Sequence, residues 1–384
     1  MVQFSSKLLF IVFLLLVTPR AFSQENPNEL PNGLFKPEFI MSNQQQLQLT
    51  DQQRQSIMKE VTALQAKAPQ LPDGPEKMKL FLGTVTRINA VLTPEQKEKL
   101  KTLGRPGTAD LHPLFTNPVR VEIQGYKDFA AKEPFISRDG QYLFFNNTND
   151  KPGVDTHVFY AKRIDDATFQ FIGPVEGLGG EMRVPDLNSA APSLDADGNI
   201  YFTSTKSYRN DFNVIHQGLF NKGVVTGVSA VPGISLKKFG WINMDGEISA
   251  DGKTLYYSDT LASDSSKVSI LRVAAKNADG SFTPLPNSDD LLKTANNVDV
   301  FNYAPSTTVD GLELFFTSGM ATGIYVVKRS SISEPFGPAQ LAVAATNGNV
   351  EAPSITDDGK HLYYAQQEGE EYFWTIYVAT RSGS

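Results

Sequence analysis

The chain contains no cysteine. No disulfide can staple it, no thiol can serve as nucleophile or metal ligand, and the lipid attachment of a lipoprotein is excluded. Histidine is scarce. The four present (His112, His157, His216 and His361) stand in dissimilar settings, none at metal-ligand spacing. No metal and no cofactor is therefore expected. Net charge is −7 with no long basic run, which argues against nucleic-acid binding, because phosphate recognition needs clustered Lys and Arg. After residue 17 no apolar run approaches the roughly 20 residues needed to span a bilayer. No G-x-S-x-G nucleophile context occurs. The oxygen-rich stretch NNTNDKPGVD (146–155) does not match an EF-hand loop and reads as a hairpin tip.

The N-terminus carries a positive residue, Lys7, then the ten-residue apolar run LLFIVFLLLV (8–17), then Ala21-Phe22-Ser23 before Gln24. That order is the signature of a secretory signal peptide over residues 1–23, and it places the mature protein in the periplasm or outside the cell. Residues 24–36, polar and broken by Pro and Gly, read as a linker.

From residue 37 to 104 the texture is helical. Pro37 opens PEFIMSNQQQLQ at a plausible first helical position. Thr50 caps a second helix, and Gln53 completes a capping box. Leu49, Ile57, Val61 and Leu64 mark its apolar face. A third helix starts at Pro75, and Thr93 with Gln96 caps a fourth. Residues 105–114 form a second linker.

Beyond residue 115 the texture turns to strands, and one phrase recurs five times: EPFISRDGQYLFFNN from Glu133, APSLDADGNIYFTST from Ala191, DGEISADGKTLYYSD from Asp245, APSTTVDGLELFFTS from Ala304 and APSITDDGKHLYYAQ from Ala352. The Asp-Gly pairs at 139, 197, 251, 310 and 358 are 58, 54, 59 and 48 residues apart. Each phrase is predicted to be a hairpin, with Asp-Gly as its tight turn and an aromatic strand after it. A third strand follows every phrase. A fourth follows only the first four: FQFIGPVEGL, GVVTGVSAV, FTPLPNS and EPFGPAQLAV. The fifth copy is FTNPVRVEIQ (115–124), ahead of the first phrase, so the N-terminal strand should close the last blade of a ring. The fold class expected is an all-β propeller over 115–384, with five blades counted and six left open, behind a small all-α module.

Two resemblances follow from these motifs. The Pro-x-x-x-x-Asp-Gly-x-x-aromatic repeats resemble the WD-like repeat of TolB-type β-propellers over about 270 residues, although Asp245-Gly246 departs from Ala-Pro in the third copy. The paired Leu-Thr-x-x-Gln motifs, Leu49 to Gln53 and Leu92 to Gln96, resemble the Spy/CpxP-like family. That second resemblance implies an envelope-stress chaperone or sensor and a docking or dimerising module. The helical segment lacks His, Cys and a Met-rich tract, which weakens any metal role for it.

In a propeller the residues that lead into each innermost strand face the mouth of the central channel. Here these are Lys132 and Glu133, Asn188, Asn243 and Asp245, Asn302 and Tyr303, and Asn349 and Glu351, with Trp241 close by. Convergent amides and carboxylates suit a polar ligand, a cation or a peptide end. With no catalytic constellation apparent, the sequence points to a non-enzymatic binding or scaffold protein. Its expected partner is an envelope protein or a small polar ligand, and the helical module would dock or pair two copies. The alternative is a secreted glycoside hydrolase using the mouth carboxylates Glu133, Asp245 and Glu351, since that reaction needs a paired acid and base.

Overall fold

A computed structural model describes most of residues 47–103 and 113–382, with short pieces at 29–30, 34–35 and 40. Residues 68–74, 129, 148–155, 180–188, 205–212, 239, 262–267, 320–322, 346–347 and 370–372 fall outside the description. The expected signal peptide, most of the first expected helix and the tip at 148–155 therefore lie outside the described residues. The chain divides into two compact units, one within Val17–Leu111 and the other containing His112–Ser384.

In the first unit the segment read as a linker carries two short paired strands, β1 (Glu29–Leu30) and β2 (Leu34–Phe35). Three helices follow: α1 (Asp51–Lys67), α2 (Pro75–Ala90) and α3 (Pro94–Leu103). Their core is Ile40, Leu47, Leu49, Ile57, Ile88, Leu92 and Leu100. Both capping boxes form. Gln53 N donates to Thr50 Oγ1 and Thr50 N to Gln53 Oε1, and Thr93 and Gln96 repeat the exchange. The two glutamines also bond each other: Gln53 Nε2 lies 2.8 Å from Gln96 Oε1, and Gln96 Nε2 lies 3.2 Å from Gln53 Oε1. Each further donates to a backbone carbonyl next to the other motif, at Val91 and Leu47. The pairing of the motif thus has a local physical cause, since each copy completes the other.

The second unit is a ring of five sheets. Blade 1 comprises β5 (Lys132–Ile136), β6 (Tyr142–Asn146), β7 (Val158–Arg163) and β8 (Thr168–Pro174). Blade 2 comprises β9 (Ser189–Leu194), β10 (Asn199–Ser204), β11 (Ile215–Asn221) and β12 (Val224–Ala230). Blade 3 comprises β13 (Trp241–Ile248), β14 (Thr254–Leu261), β15 (Val268–Lys276) and β16 (Phe282–Pro284). Blade 4 comprises β17 (Asn302–Thr307), β18 (Glu313–Ser318), β19 (Gly323–Lys328) and β20 (Gln340–Ala344). Blade 5 takes β21 (Val350–Ile355), β22 (His361–Gln367) and β23 (Trp374–Arg381) from the C-terminus and β3 (Phe115–Arg120) from the start of the unit.

The expected closure is present, with Val119 opposite Val378 and Phe115 opposite Arg381. One detail corrects the sequence reading. The stretch 115–124 is not one strand. It breaks at Val121, and its second half, β4 (Glu122–Gln124), adds to the outer edge of blade 1 parallel to β8. One segment therefore ties the last blade to the first.

The second strand of each blade explains the aromatic runs. Its central three residues are Leu143-Phe144-Phe145, Ile200-Tyr201-Phe202, Leu255-Tyr256-Tyr257, Leu314-Phe315-Phe316 and Leu362-Tyr363-Tyr364, all buried. Side chains alternate across a strand. In blade 1 the middle residue packs toward blade 2 and the outer two pack toward blade 5. The same alternation runs round the ring, so five apolar clusters fill five blade interfaces. Each fully buried ring adds roughly 1.5–3 kcal/mol of hydrophobic stabilisation.

The Asp-Gly turns form as expected. Asp139, Asp251, Asp310 and Asp358 each accept a Ser or Thr hydroxyl two residues before and a backbone N–H two residues after. Arg163, Arg329 and Arg381, at the ends of third strands, donate to the carbonyls of Gly140, Gly311 and Gly359 and hold those turns against their own blades.

Candidate functional site

Each inner strand carries a β-bulge at the same place, just before the repeated proline. The residue at the bulge has φ near +50°: Glu133, Ala191, Asp245, Ala304 and Ala352. A left-handed backbone disfavours any residue with a Cβ. The following Pro has no N–H to leave unpaired where the ladder is interrupted, which suits it to this place. In blade 3 Gly246 replaces it, where a Cβ would lie 3.2 Å from Ile215 Cγ2. The bulge re-aims its side chain. Three blades put alanine there, whereas blades 1 and 3 put carboxylates.

The residue before the bulge supplies Lys132, Ala190, Met244, Tyr303 and Glu351 in turn. Lys132 Nζ lies 2.9 Å from Glu351 Oε1 and 4.4 Å from the centroid of the Trp374 ring. Tyr303 Oη donates to Glu351 Oε2 at 3.0 Å. Glu133 Oε2 accepts from Ala191 N at 2.9 Å. Asp245 accepts from Ser258 Oγ at 3.4 Å and from the backbone N–H of Ala304. Lys132, Asp245 and Glu351 are each less than a tenth exposed. Burial first, then the charges of Glu133 and Glu351, raise the Asp245 carboxyl to about 8 against the lowering effect of its two hydrogen bonds. Burial also holds the Tyr303 hydroxyl well above its ordinary range, reinforced by Glu351, Asp245 and Glu133. The structure thus brings together Lys132, Glu133, Asp245, Tyr303 and Glu351 from blades 1, 3, 4 and 5.

The asparagines behave otherwise. Asn188 lies outside the described residues. Asn243 is buried and accepts from Val214 N of blade 2, while Asn302 donates to the carbonyl of Asp299. Asn349 is exposed and bonds Gln367. They serve loops and blade contacts, a role asparagine fills well. Trp241 is half-buried at the start of β13, with Lys238 Nζ 5.4 Å from its centroid. Of the histidines, His112 is outside the description, and His361 packs on β22 with Nε2 3.6 Å from Asp166 Oδ2. Among the described residues no group of three or more His, Asp or Glu is arranged to hold a metal ion.

A second layer, not anticipated from sequence, lies two residues beyond the bulge; it is polar in four blades, at Ser193, Glu247, Ser306 and Ser354, and apolar in blade 1, at Phe135. The hydroxyls of Ser193, Ser306 and Ser354 each accept a backbone N–H from the next blade, at Ile248, Ile355 and Ile136. Arg138 enters this layer from the blade 1 turn. It pairs with Glu247 Oε1 at 3.0 Å, donates to the carbonyls of Leu194 and Ile248, and lies 3.7 Å from Asp357. The signal was present, because Arg138 stands where the other phrases have Ala, Ala, Val and Asp. Asp259, opposite Asn243 on β14, was also missed. Burial raises it to about 6 against the lowering effect of Arg272. Asn243 Nδ2 and Asp259 Oδ1 have no hydrogen-bond partner among the described residues.

No protein-family model matches the chain, and no curated protein sequence matches it. Solved structures do. Zg3597, a family 117 glycoside hydrolase from Zobellia galactanivorans, is 14% identical over 70% of this chain and 90% of its own, with a TM-score of 0.49. The catalytic domain of a GH62 α-L-arabinofuranosidase from Coprinopsis cinerea is 14% identical over 70% and 96%, with a TM-score of 0.47. TolB from Acinetobacter baumannii is 16% identical over 66% and 55%, with a TM-score of 0.36. The five-sheet ring itself is the architecture expected from the TolB-type resemblance, while the Spy/CpxP-like resemblance gains no support. The chain is a five-bladed β-propeller with a small helical unit, and at these identities no activity passes to it from its neighbours.

Proposed function

We propose that the protein is an exported, non-enzymatic binding protein whose axial mouth takes a small polar ligand and whose helical unit docks or pairs copies. One observation carries this reading: Lys132, Glu133, Asp245, Tyr303 and Glu351 converge from four blades into one buried cluster. Burying that much charge costs several kcal/mol per ion unless it is paired. A ring held together by its apolar interfaces has no need of it, and three blades manage with alanine at the bulge. Support for export comes from the leader at residues 1–23 alone.

A thermal-shift screen of the purified full chain against neutral sugars, amino acids and polyamines tests the site. A ligand that raises Tm in the parent, but in neither Glu351→Gln nor Asp245→Asn, supports the axial mouth. Ligands whose effect survives both substitutions assign binding elsewhere.

A second reading is favoured by one feature. Burial and the neighbouring Glu133 and Glu351 raise the proton affinity of Asp245 above that of an ordinary carboxyl, and an acid and a base of unlike proton affinity are what glycoside hydrolysis requires. Turnover of chromogenic glycosides that disappears in Asp245→Asn supports hydrolysis. Turnover that persists there removes the axial carboxylates from the reaction.

A further inference from the structure

Four of the five Asp-Gly turns are pinned in one way, and the turn of blade 2 is not. In blades 1, 3, 4 and 5 the aspartate Oδ1 accepts a hydroxyl from Ser137, Ser249, Thr308 or Thr356 at 2.6–2.7 Å. It also accepts a backbone N–H two residues on, at 3.0–3.1 Å. Blade 2 has Asp195 where the others have that Ser or Thr. An ionised carboxylate has no proton to donate. Asp195 instead takes the donors of the turn for itself, Oδ1 accepting from Asp197 N and Asn199 N, and Oδ2 from Asn199 Nδ2. Among the described residues no hydrogen bond reaches the carboxylate of Asp197, which is exposed. The backbone N–H beside it is also held least firmly. Gly198 N lies 3.3 Å from Asp195 O, against 2.7–2.9 Å for the glycines of the other four turns. Gly198 has φ of +85°, while those four lie between +67° and +70°. Outside the hairpins, Asp279 is bound twice by Ser281 and Asp245 is buried, and Asp73 lies outside the described residues.

We propose that Asp197-Gly198 is a site of spontaneous covalent modification, at which the backbone rearranges to an isoaspartyl linkage while the other four hairpin turns are protected. The Gly198 nitrogen bonds to Cγ of the Asp197 carboxylic acid and gives up its proton, and the acid hydroxyl leaves with that proton as water. The product is a five-membered succinimide. Water that cleaves the new bond restores Asp197. Water that cleaves the original peptide bond leaves the chain running through Cγ, with a free α-carboxylate. One water is lost and one regained, so no co-reactant is required. Glycine offers no side chain to obstruct the attack in any of the five turns. The difference lies in the acid, which must first leave two hydrogen bonds in blades 1, 3, 4 and 5 and none in blade 2. The rearranged turn carries one extra backbone atom between β9 and β10, whose register sets Leu194 against Ile200.

Peptide mapping of the folded full chain, held for weeks at neutral pH and physiological temperature, tests this. Fragmentation that distinguishes isoaspartate from aspartate should find it at residue 197 at least about tenfold faster than at 139, 251, 310 or 358, the ratio implied by one charge-assisted hydrogen bond to each protected carboxylate. In concentrated denaturant the five sites should convert at similar rates, because each is an aspartate followed by glycine. Asp197→Glu lengthens an exposed, unbonded side chain and should abolish the product at this turn without changing Tm. Ser249→Ala removes the hydroxyl that holds Asp251, and should bring conversion at 251 up toward that at 197 in a protein that still melts cooperatively. Conversion at 197 no faster than at the four pinned turns overturns the proposal. So does an excess at 197 that persists in denaturant, which would place its cause in the local sequence. A folded Ser249→Ala protein with no added conversion at 251 would show that the hydroxyl gives no protection, and would overturn it as well.

Discussion

At the scale of single residues, the left-handed bulge governs the site. Asp245 sits there because the fold turns that position toward its neighbours, and burial then makes its ionised form costly. Its folded-state proton affinity is raised above the unfolded value. The stability it contributes is therefore fully present below about pH 4 and is lost as pH rises toward about 8. Denaturant melts across that range should show stability falling with a slope of up to about 1.4 kcal/mol per pH unit, and Asp245→Asn should flatten the slope. The alanines at the equivalent positions test the backbone itself. Ala304→Gly should be neutral or stabilising by up to about 1 kcal/mol, while Ala304→Val should destabilise by about 1–3 kcal/mol. Equal melting midpoints for the two would mean that the bulge is not strained.

Carboxylates at these positions were legible, since the phrases align without a gap and Glu133 and Asp245 interrupt a column of alanines. The sequence could not tell which neighbours they would meet. Glu351 belongs to a different column, and its contact with Lys132 and Tyr303 depends on blade geometry. Two of the asparagines are held by other partners. Asn243 and Asn302 each stand two residues before the bulge, but their side chains bond the backbone N–H of Val214 and the carbonyl of Asp299.

Among secondary-structure elements, the helical unit is organised by the crossed glutamines of its two caps. Each glutamine accepts from its own threonine and bonds its counterpart, so removing one leaves the other short of a partner. Gln53→Ala and Gln96→Ala should each cost about 1 kcal/mol, and the double variant less than their sum. Amide exchange of α1 and α3 in the full chain measures this cycle. Strictly additive losses would show that the two caps act independently. The capping boxes were readable as local three-residue spacings, whereas their mutual bond spans 43 residues and has no local signal. The strands divide along the same line. Asp-Gly turns and aromatic runs place every hairpin, but the break at Val121 arises because a second blade edge competes for Glu122 to Gln124.

For the molecule as a whole, Arg138 is a staple. It touches blades 2, 3 and 5 from its seat on blade 1. Replacing it with Met strands Glu247 in a site only 5% exposed and should cost about 3–5 kcal/mol. Adding Glu247→Leu should recover part of that loss, as measured by thermal melts. Lack of any recovery would place the cost in the carbonyl contacts rather than the ion pair.

The shared fifth blade also imposes an order in time. Strand β3 is made before every other strand of the ring, yet its partner β23 is made after all of them. While the nascent chain lengthens, blade 5 does not exist, and β3 waits with its hydrogen-bonding edge unspent. Closure of the ring thus waits until its last strand has been made. A chain truncated before Trp374 would be denied its seal however well its earlier hairpins had folded, and topology of this kind folds slowly.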